Sequence, residues 1–393
     1  MPQAVEREHQ PTVISAAHAP SGRPHQIATR IVFFVMGFGV SAWAPLIPFV
    51  KARAAIDDDI LGLLLLSLGA GSMLTMPLAG ALAGRFGCRL VIVLAAVLLC
   101  ITLPLLATLS SLAGLVPVLL LFGAGVGAAD VAGNIQAIIV ERDSGRPMMS
   151  GFHGLFSLGG IAGAGGVSLL LRAGASPSGA IWIAIAVIAL ATAVAAPRLL
   201  THGLDKDGVV FAVPRGIVLL IGALCFIVFL AEGAVLDWSG VFLTAVRGVA
   251  ASDAGLGYAA FALTMTVSRL IGDGIVARLG GARTILLGGI CAAAGFMVTW
   301  VPDRHVTLLG FALVGVGCAN IVPILFSSVG RQTVMPQNVA VAAITTLGYA
   351  GILVGPAGIG IVAQWSSLEI AFLLLAALLL VVGISGRGFA RRQ

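Results

Sequence analysis

Charged residues are scarce in this sequence, and their scarcity decides the solvent in which the chain folds. Asp, Glu, Lys and Arg make up 10% of its 393 residues, whereas hydrophobic residues make up 59%. Because soluble domains carry about 25% charged residues, this composition excludes an ordinary water-soluble protein. We therefore expect most of the chain to lie in a bilayer, where a helix of about 20 apolar residues crosses the hydrocarbon core.

Several chemical motifs are also absent. The five cysteines lack CxxC spacing and lie in or beside apolar runs, which is typical of packing residues rather than of disulfides or metal sites. No GxxxxGK[ST] loop and no GxSxG elbow is present, which excludes ATP hydrolysis and serine hydrolysis of those types. We therefore expect no cofactor, no metal and no enzyme activity.

The basic residues are dispersed. A formal net charge of +6 would suggest nucleic acid binding in a soluble protein. Here these residues are scattered over the loops, so membrane topology explains them better and we expect no nucleic acid partner. Residues 1–26 are polar and contain no apolar stretch, so we expect no cleavable signal peptide.

Twelve apolar runs are long enough to cross a membrane. They predict an all-α membrane protein with twelve transmembrane helices, at about 28–50, 59–83, 89–109, 113–140, 148–171, 178–197, 215–243, 254–277, 283–301, 306–329, 338–363 and 369–386.

The longest polar interruption, from Arg198 to Pro214, divides these runs into six and six. The predicted organisation is a cytoplasmic tail at 1–27, a six-helix bundle at 28–197 and a cytoplasmic central loop at 198–214. A second six-helix bundle follows at 215–386, and a cytoplasmic tail at 387–393 ends the chain.

The loop charges predict the orientation. With both termini inside, 16 Lys and Arg residues lie on the cytoplasmic side and 5 on the other, while Arg269 lies within a span. This distribution follows the positive-inside rule. We expect a multi-pass protein of a bacterial inner membrane with both termini in the cytoplasm.

The two halves also repeat residues in the same order. Gly159 and Gly163 match Gly351 and Gly355 at an offset of 192, and the pair Gly125 and Gly127 matches the pair Gly315 and Gly317 at an offset of 190. Such a series predicts two pseudo-symmetric bundles related by a parallel repeat, as in some transporters.

The chain after residue 27 resembles the major facilitator superfamily. The loop after span 2 reads GALAGRFGCR (Gly80 to Arg89), like the family's loop signature, with Gly84 where the family usually has Asp. The stretches DVAGNIQAIIVE, GRPMMSGFHGLFSLGG and EGAVLDWSGVFL resemble the fucose-permease-like branch, most closely its YbjJ-type bacterial inner-membrane members. The resemblance implies alternating-access transport, and that branch includes proton-coupled sugar uptake.

The same resemblance implies a cytoplasmic gate at the loops after spans 2 and 8. Its candidate residues are Arg85, Arg89, Arg269, Asp273 and Arg278. Arg269 and Asp273 are four residues apart and can pair along one helix. Alternatively, Arg269 exchanges between Asp273 and a substrate carboxylate or Glu232 during the cycle.

Few ionisable residues lie inside the spans. Each raises the free energy of membrane insertion by at least about 2.5–3.5 kcal/mol, so it requires a partner or a function. Asp130 in span 4 and Glu232 in span 7 are the preferred proton-coupling candidates, and Asp237 and His153 are further candidates. Fucose-permease relatives pair an acid in span 4 with one in span 1, where this chain has none. Glu232 and Asp237 differ by about 140° around their helix, so both cannot face one cavity squarely.

Aromatic rings and amides near the middle of the membrane are candidates for solute binding, because rings stack on sugars and amides bind hydroxyls. They are Trp43, Asn134, Gln136, Trp238, Asn320 and Tyr349. The alternative for the aromatic residues is interfacial anchoring, and for Asn320 it is a bond between helices.

The sequence therefore predicts a secondary transporter that moves a small polar solute, with sugars as one class, together with protons and as a monomer. One alternative is proton-driven efflux of an amphipathic metabolite or drug. The signature-like stretch from Gly351 to Gly358 favours efflux, and Leu119, where many antiporters have Arg, opposes it. A sensor that binds its solute without transporting it is a further alternative.

Overall fold

The protein is an assembly of membrane-length helices. A computed structural model describes residues 21–204, 212–250 and 253–390, and that part of the chain contains helices and turns but no β-strand. Eleven of its helices are long and apolar enough to cross a membrane, and a bent pair makes a twelfth span. The predicted all-α membrane fold is confirmed.

The first half of the chain forms six spans from seven helices. These are α1 (Arg23–Ala42), α2 (Ile47–Ala54), α3 (Asp58–Phe86), α4 (Cys88–Thr108), α5 (Leu112–Ser144), α6 (Met149–Arg172) and α7 (Pro177–Ala195). A short 3₁₀ turn at Ala44–Leu46 joins α1 to α2, so both belong to span 1.

The second half forms six spans from eight helices. These are α8 (Ile217–Val241), α9 (Leu256–Leu270), α10 (Gly272–Leu279), α11 (Gly281–Val298), α12 (Arg304–Cys318), α13 (Ile321–Val329), α14 (Gln337–Trp365) and α15 (Leu368–Ala390). Span 8 is the bent pair, with 59° between α9 and α10, and span 10 consists of α12 and α13.

Each half packs as a bundle of its own. Helices α3 and α5, and α1 and α6, form extensive contacts in the first bundle, as α8 and α14, and α11 and α15, do in the second. We call the side of the membrane on which α1 begins and α15 ends the terminal face, and the other side the distal face. The proposed boundaries of the tails stay predictions, since residues 1–20, 205–211 and 391–393 lie outside the described residues.

Glycines allow the backbones of paired helices to approach each other at equivalent places in both bundles. A Cβ on Gly159 or Gly163 would overlap the carbonyl oxygen of Phe34 or Phe38, and one on Gly351 would overlap that of Phe226. Phe226 follows Phe34 at the same offset of 192 that relates Gly351 to Gly159. The repeat therefore extends from the glycines to the contacts that they make.

The contacts of the glycines in spans 4 and 10 contradict the predicted offset of 190 residues. Gly123 packs on the Leu68 carbonyl oxygen of α3 as Gly315 packs on the Phe261 carbonyl oxygen of α9. Gly125 faces α4 at Ala95 as Gly317 faces α11 at Ala292. The contacts therefore match at an offset of 192, which the repeated Gly-x-Gly pattern obscured because it also matches itself at a shift of two residues.

The bundles contact each other from the terminal face to the middle of the membrane. A Cβ on Gly80 of α3 would lie 2.9 Å from the carbonyl oxygen of Asn338 in α14, and one on Gly330 would lie 2.7 Å from Ile138 of α5. Helix α6 also packs on α9 across the same boundary. The terminal halves of the two bundles are therefore closed on each other in this conformation.

Large apolar side chains point outward from the helices. Leu74, Leu169 and Leu190 are 77%, 67% and 69% exposed, respectively. In water such a surface would drive aggregation, whereas lipid tails are as apolar as leucine. The outer surface is thus suited to the hydrocarbon that the composition predicts.

A pair of glycine variants tests this packing. Gly123→Ala places a Cβ against the backbone of Leu68 in α3, whereas Gly165→Ala in α6 has no atom within 4 Å. We expect Gly123→Ala to destabilise the protein by at least about 1–3 kcal/mol. Gly165→Ala should be neutral or stabilise it by up to about 0.5–1 kcal/mol.

Thermal unfolding in detergent measures the difference. Equal melting temperatures for the two variants would contradict the close approach of α3 and α5.

Candidate functional site

A buried ion pair lies at the boundary between the bundles. Arg269 of α9 donates from Nη2 to Oε1 of Glu232 in α8 at 3.2 Å, and the two side chains are only 7% and 16% exposed. Arg269 also donates from Nε to the carbonyl oxygen of Ala319 at 3.2 Å. Its third bond crosses to the other bundle, from Nη1 to Oγ of Ser157 in α6 at 3.1 Å.

A bend in span 8 and a proline in span 10 make these bonds possible. The residue four positions after Ala319 is Pro323, which has no N–H, so the Ala319 carbonyl oxygen has no helical donor and accepts from Arg269. Arg269 lies in the last turn of α9, next to the bend at Ile271. The guanidinium therefore satisfies a backbone acceptor that the helix itself leaves unpaired.

His153 lies one helical turn before Ser157 on α6. Its ring packs between Phe33 and Phe326, with centroid distances of 5.3 and 5.9 Å, and Nε2 is buried without a hydrogen-bond partner among the described residues. The positive charge of Arg269 acts electrostatically on this ring. His153 thus lies beside the ion-pair region with one buried ring nitrogen that has no partner among the described residues.

A second acidic group lies on α5. Asn134 donates from Nδ2 to Oδ1 of Asp130 at 2.9 Å and to the Asp130 carbonyl oxygen at the same distance. Oδ1 of Asn134 is buried without a partner among the described residues. The charge of Asp130 also acts electrostatically on Tyr349 of α14, in the other bundle. Asp130 and Asn134 therefore form a polar pair on α5.

Asp237 and Trp238 lie farther along α8, toward the distal face. Asp237 is exposed, and Trp238 donates from Nε1 to the carbonyl oxygen of Pro356 in α14 at 3.2 Å. Trp238 also packs near Gly360, where a Cβ would lie 3.1 Å from its ring. Glu232 and Asp237 face different surroundings, as their spacing on the helix predicted.

Asp273 does not pair with Arg269. It lies on α10 beyond the bend, and its Oδ1 accepts from the backbone N–H of Gly151 in the first turn of α6, at 3.1 Å. The predicted pair within one helix is wrong because the 59° bend turns α10 away from the axis of α9. Asp273 instead joins the terminal halves of the two bundles.

Gln136 and Trp43, both candidates for solute binding, are buried within the first bundle in this conformation. Gln136 is fully buried, with Nε2 donating to Oγ1 of Thr29 at 3.1 Å and Oε1 accepting from the Leu200 N–H at 3.1 Å. Trp43 is 4% exposed within the core of the first bundle, and its Nε1 has no partner among the described residues. Gln136 therefore ties the start of the central loop to the first bundle.

Asn320 remains close to the ion pair. It donates from Nδ2 to the Ser268 carbonyl oxygen at 3.3 Å, while Oδ1 is buried, unpartnered among the described residues, and directed at the backbone of Gly272. A side chain at position 272 would collide with it. The bend of span 8 thus depends on a glycine beside this amide.

The remaining arginines predicted for the gate lie on the surface. Arg85, Arg89 and Arg278 are exposed, and Arg85 stacks on the Phe86 ring with 5.2 Å from Cζ to the centroid. Arg89 takes part through its backbone, which donates to the Leu200 carbonyl oxygen at 2.8 Å. Among the described residues, Asp273 and Arg269 are the two of the five gate candidates whose side chains form hydrogen bonds between the bundles.

Comparison with known proteins identifies this architecture. A family model described as the Major Facilitator Superfamily matches residues 31–333. An uncharacterized MFS-type transporter of Yersinia pestis is 54% identical over 372 residues, which cover 94% of this chain and 97% of that protein. The chain belongs to the Major Facilitator Superfamily.

Solved structures of this superfamily share the fold. FucP in the outward conformation aligns with a TM-score of 0.79 and 16% identity, covering 93% of this chain and 99% of that chain. The proton:xylose symporter XylE aligns with a TM-score of 0.74 and 12% identity, covering 93% and 95%. The protein is thus a multi-pass transporter of the superfamily, and the expected membership and fold are confirmed.

Sequence reasoning did not include Ser157 among the site residues. Its signal was a small polar residue one turn after His153 on a glycine-rich apolar helix. What identifies it is its bond to Arg269, which is 112 residues away in the chain. Within the described ranges, no three His, Cys, Asp or Glu side chains come together as a metal site.

A double-mutant cycle tests the buried ion pair. Arg269→Gln leaves Glu232 buried without its cation, and we expect the free energy of unfolding to fall by about 3–5 kcal/mol. Adding Glu232→Gln to this variant should restore part of that stability, with an interaction energy between the two sites of about 0.5–3 kcal/mol. The exposed Arg85→Gln serves as the control, with a change within about 0.5 kcal/mol.

Unfolding in detergent at several pH values measures the cycle. The cost of Arg269→Gln should shrink as the pH falls, because protonation removes the unpaired negative charge of Glu232. Strict additivity of the two single variants would show that Glu232 and Arg269 do not interact.

Proposed function

We propose that this protein is a proton-coupled secondary transporter of a small polar solute, with sugars as the leading class, and that it works by alternating access. The terminal face is cytoplasmic in this proposal, because the basic loops lie on it, and the membrane is a bacterial inner membrane. Rocking of one bundle against the other would expose a central site to each side in turn.

One observation carries the proposal. Arg269 is bonded at the same time to Glu232 of its own bundle and to Ser157 of the other bundle. Separation of α6 from α9 has to break the bond to Ser157. A proton on Glu232 would neutralise the partner of Arg269 and so change the strength of its remaining bonds. Proton occupancy and the arrangement of the bundles are thereby linked.

Asp130 supplies a second place for a proton. Its carboxylate accepts from the neutral amide of Asn134 and forms no ion pair with the described residues. An acid inside a span costs insertion free energy and tends to be functional. Its charge also acts on Tyr349 of the other bundle, so its surroundings change when the bundles move.

The solved relatives support the chemical class. FucP is described as the Escherichia coli fucose:proton symporter, and XylE as a proton:xylose symporter. Both combine a sugar with a proton on the same fold. The polar atoms left without partners near the centre of this protein, on Asn134, Asn320 and His153, suit a solute with several hydroxyl groups.

Proton flux tests the role of Asp130. Right-side-out vesicles containing the wild type should make the outside medium more alkaline when the transported sugar is added, and Asp130→Asn should abolish this response. A pH-sensitive dye in the outside medium measures the response as a panel of sugars and amphipathic cations is added to the vesicles. Gly165→Ala, at a position with no atom within 4 Å of the added Cβ, is the control and should keep the response.

The same assay separates the alternatives. Proton release from acid-loaded inverted vesicles on addition of cations alone would replace uptake by efflux. No response to any compound in the panel would reject proton-coupled transport of both classes.

Counterflow tests the role of Glu232. Exchange of labelled for unlabelled solute needs no net proton movement, whereas accumulation against a gradient does. We expect Glu232→Gln to retain counterflow within a few-fold and to lose proton-driven accumulation. Loss of both activities in a variant that still folds would assign Glu232 to solute binding instead of coupling.

A further inference from the structure

A cavity of about 420 Å³ lies at the terminal face, away from the ion pair and from Asp130. The first bundle lines it with the end of α5 and the loop before α6, including Glu141, Arg142 and Arg146. The second bundle contributes the end of α13 with Arg331. Three arginines from two bundles therefore meet around one space.

The acidic side chains at this cavity are already engaged. Oε2 of Glu141 accepts from the backbone N–H groups of Met148 and Met149, both at 2.8 Å. Asp143, next to Arg142 in sequence, accepts from the backbone N–H and the hydroxyl of Ser21 at 3.0 and 2.7 Å. Both carboxylates are thus used to hold the first turn of α6 and the start of α1.

The arginines, in contrast, have few carboxylate or hydrogen-bond partners. Nε of Arg142 is 3.9 Å from Oδ1 of Asp143, which is too long for a hydrogen bond. Arg146 has only a long bond of 3.4 Å to Oε1 of Gln26. The Arg331 guanidinium forms no ion pair or hydrogen bond with the described residues. Most of the N–H donors of these three guanidinium groups therefore have no acceptor among the described residues.

We propose that this cavity binds a phosphate-bearing ligand that bridges the two bundles at the terminal face. Guanidinium groups match phosphate oxygens in pairs, which favours phosphate over a singly charged anion. A volume of about 420 Å³ exceeds that of inorganic phosphate and lies within the range of small-molecule sites. The ligand is therefore an organic phosphate, either a soluble metabolite or a phospholipid headgroup.

Binding there would act on transport from a distance. Arg146 and Arg331 approach each other only while the ends of α5 and α13 are together, as the contact of Ile138 with Gly330 shows for this conformation. A ligand that prefers this arrangement shifts the population toward it. The ligand would thus hold the terminal face closed and slow the cycle, whichever solute is carried.

The test uses the full-length protein in phosphatidylcholine nanodiscs at constant ionic strength. AMP is the probe, and adenosine is the control without phosphate. We expect AMP to raise the melting temperature saturably and to protect backbone amides in both 141–148 and 327–331 from hydrogen exchange. Discs with 20% phosphatidylglycerol replace AMP in a second arm, so that protection in that arm alone would identify a lipid headgroup as the source.

Charge-matched variants make the test specific. Arg146→Gln with Arg331→Gln should weaken the response to AMP or to phosphatidylglycerol at least about tenfold, since hydrogen bonds to charged groups are worth about 1.5–3 kcal/mol. Arg85→Gln with Arg278→Gln removes the same charge from exposed positions outside the cavity and should leave the response unchanged. All four side chains are exposed, so both variants should fold.

Three outcomes would overturn the proposal. One is an equal response to adenosine and AMP, and another is an equal loss in both double variants, which would indicate general charge screening. The third is no response to either AMP or phosphatidylglycerol. None of these readouts depends on transport, so the proposal can fail while the transport function stands, and the reverse also holds.

Discussion

Hydrocarbon offers no hydrogen-bond partner, so each polar group inside a span has to find one in the protein or face a cavity. Arg269 is the most demanding case, because a guanidinium has five N–H donors and stays charged. Its acceptors are Glu232 on α8, Ser157 on α6 and the carbonyl oxygen of Ala319 between α12 and α13. The mutual placement of these elements therefore depends on the needs of one side chain.

The same constraint distinguishes contacts within a bundle from contacts between bundles. Within a bundle, glycines such as Gly159 and Gly351 bring backbones into direct contact, and close packing of this kind is hard to deform. Between the bundles, side-chain bonds such as those of Arg269 and Asp273 contribute at the centre and at the terminal face. Such bonds can break and re-form more readily than close backbone packing.

Polar groups near the terminal face mainly bond backbone N–H groups. Glu141, Asp143 and Gln136 satisfy backbone N–H groups of neighbouring segments and so fix α6, the start of α1 and the start of the central loop. Their charges and amides are used for structure. The arginines beside them are not, which is why the proposed phosphate site is assigned to that cavity and not to the centre of the protein.

Much of the site was within reach of sequence reasoning, and the errors have definite causes. Asp130 and Asn134 share a face, because a spacing of four residues returns to the same side of a helix. The same rule failed for Arg269 and Asp273, because a bend lies between them. Gln136 was expected near the middle of the membrane, whereas its bonds hold it to Thr29 and Leu200 toward the terminal face, and these partners are 107 and 64 positions away.

The sequence by itself determined the solvent, the number of spans and the division into two halves, because each follows from local hydropathy and from residues that repeat along the chain. Membership of the superfamily was also legible in the sequence. The tertiary structure alone decided that Arg269 pairs with Glu232, that Ser157 joins them, and that Asp273 caps the helix of the other bundle. The physical reason is that helical periodicity tells which residues share a face, while only the packing of the helices tells what that face meets.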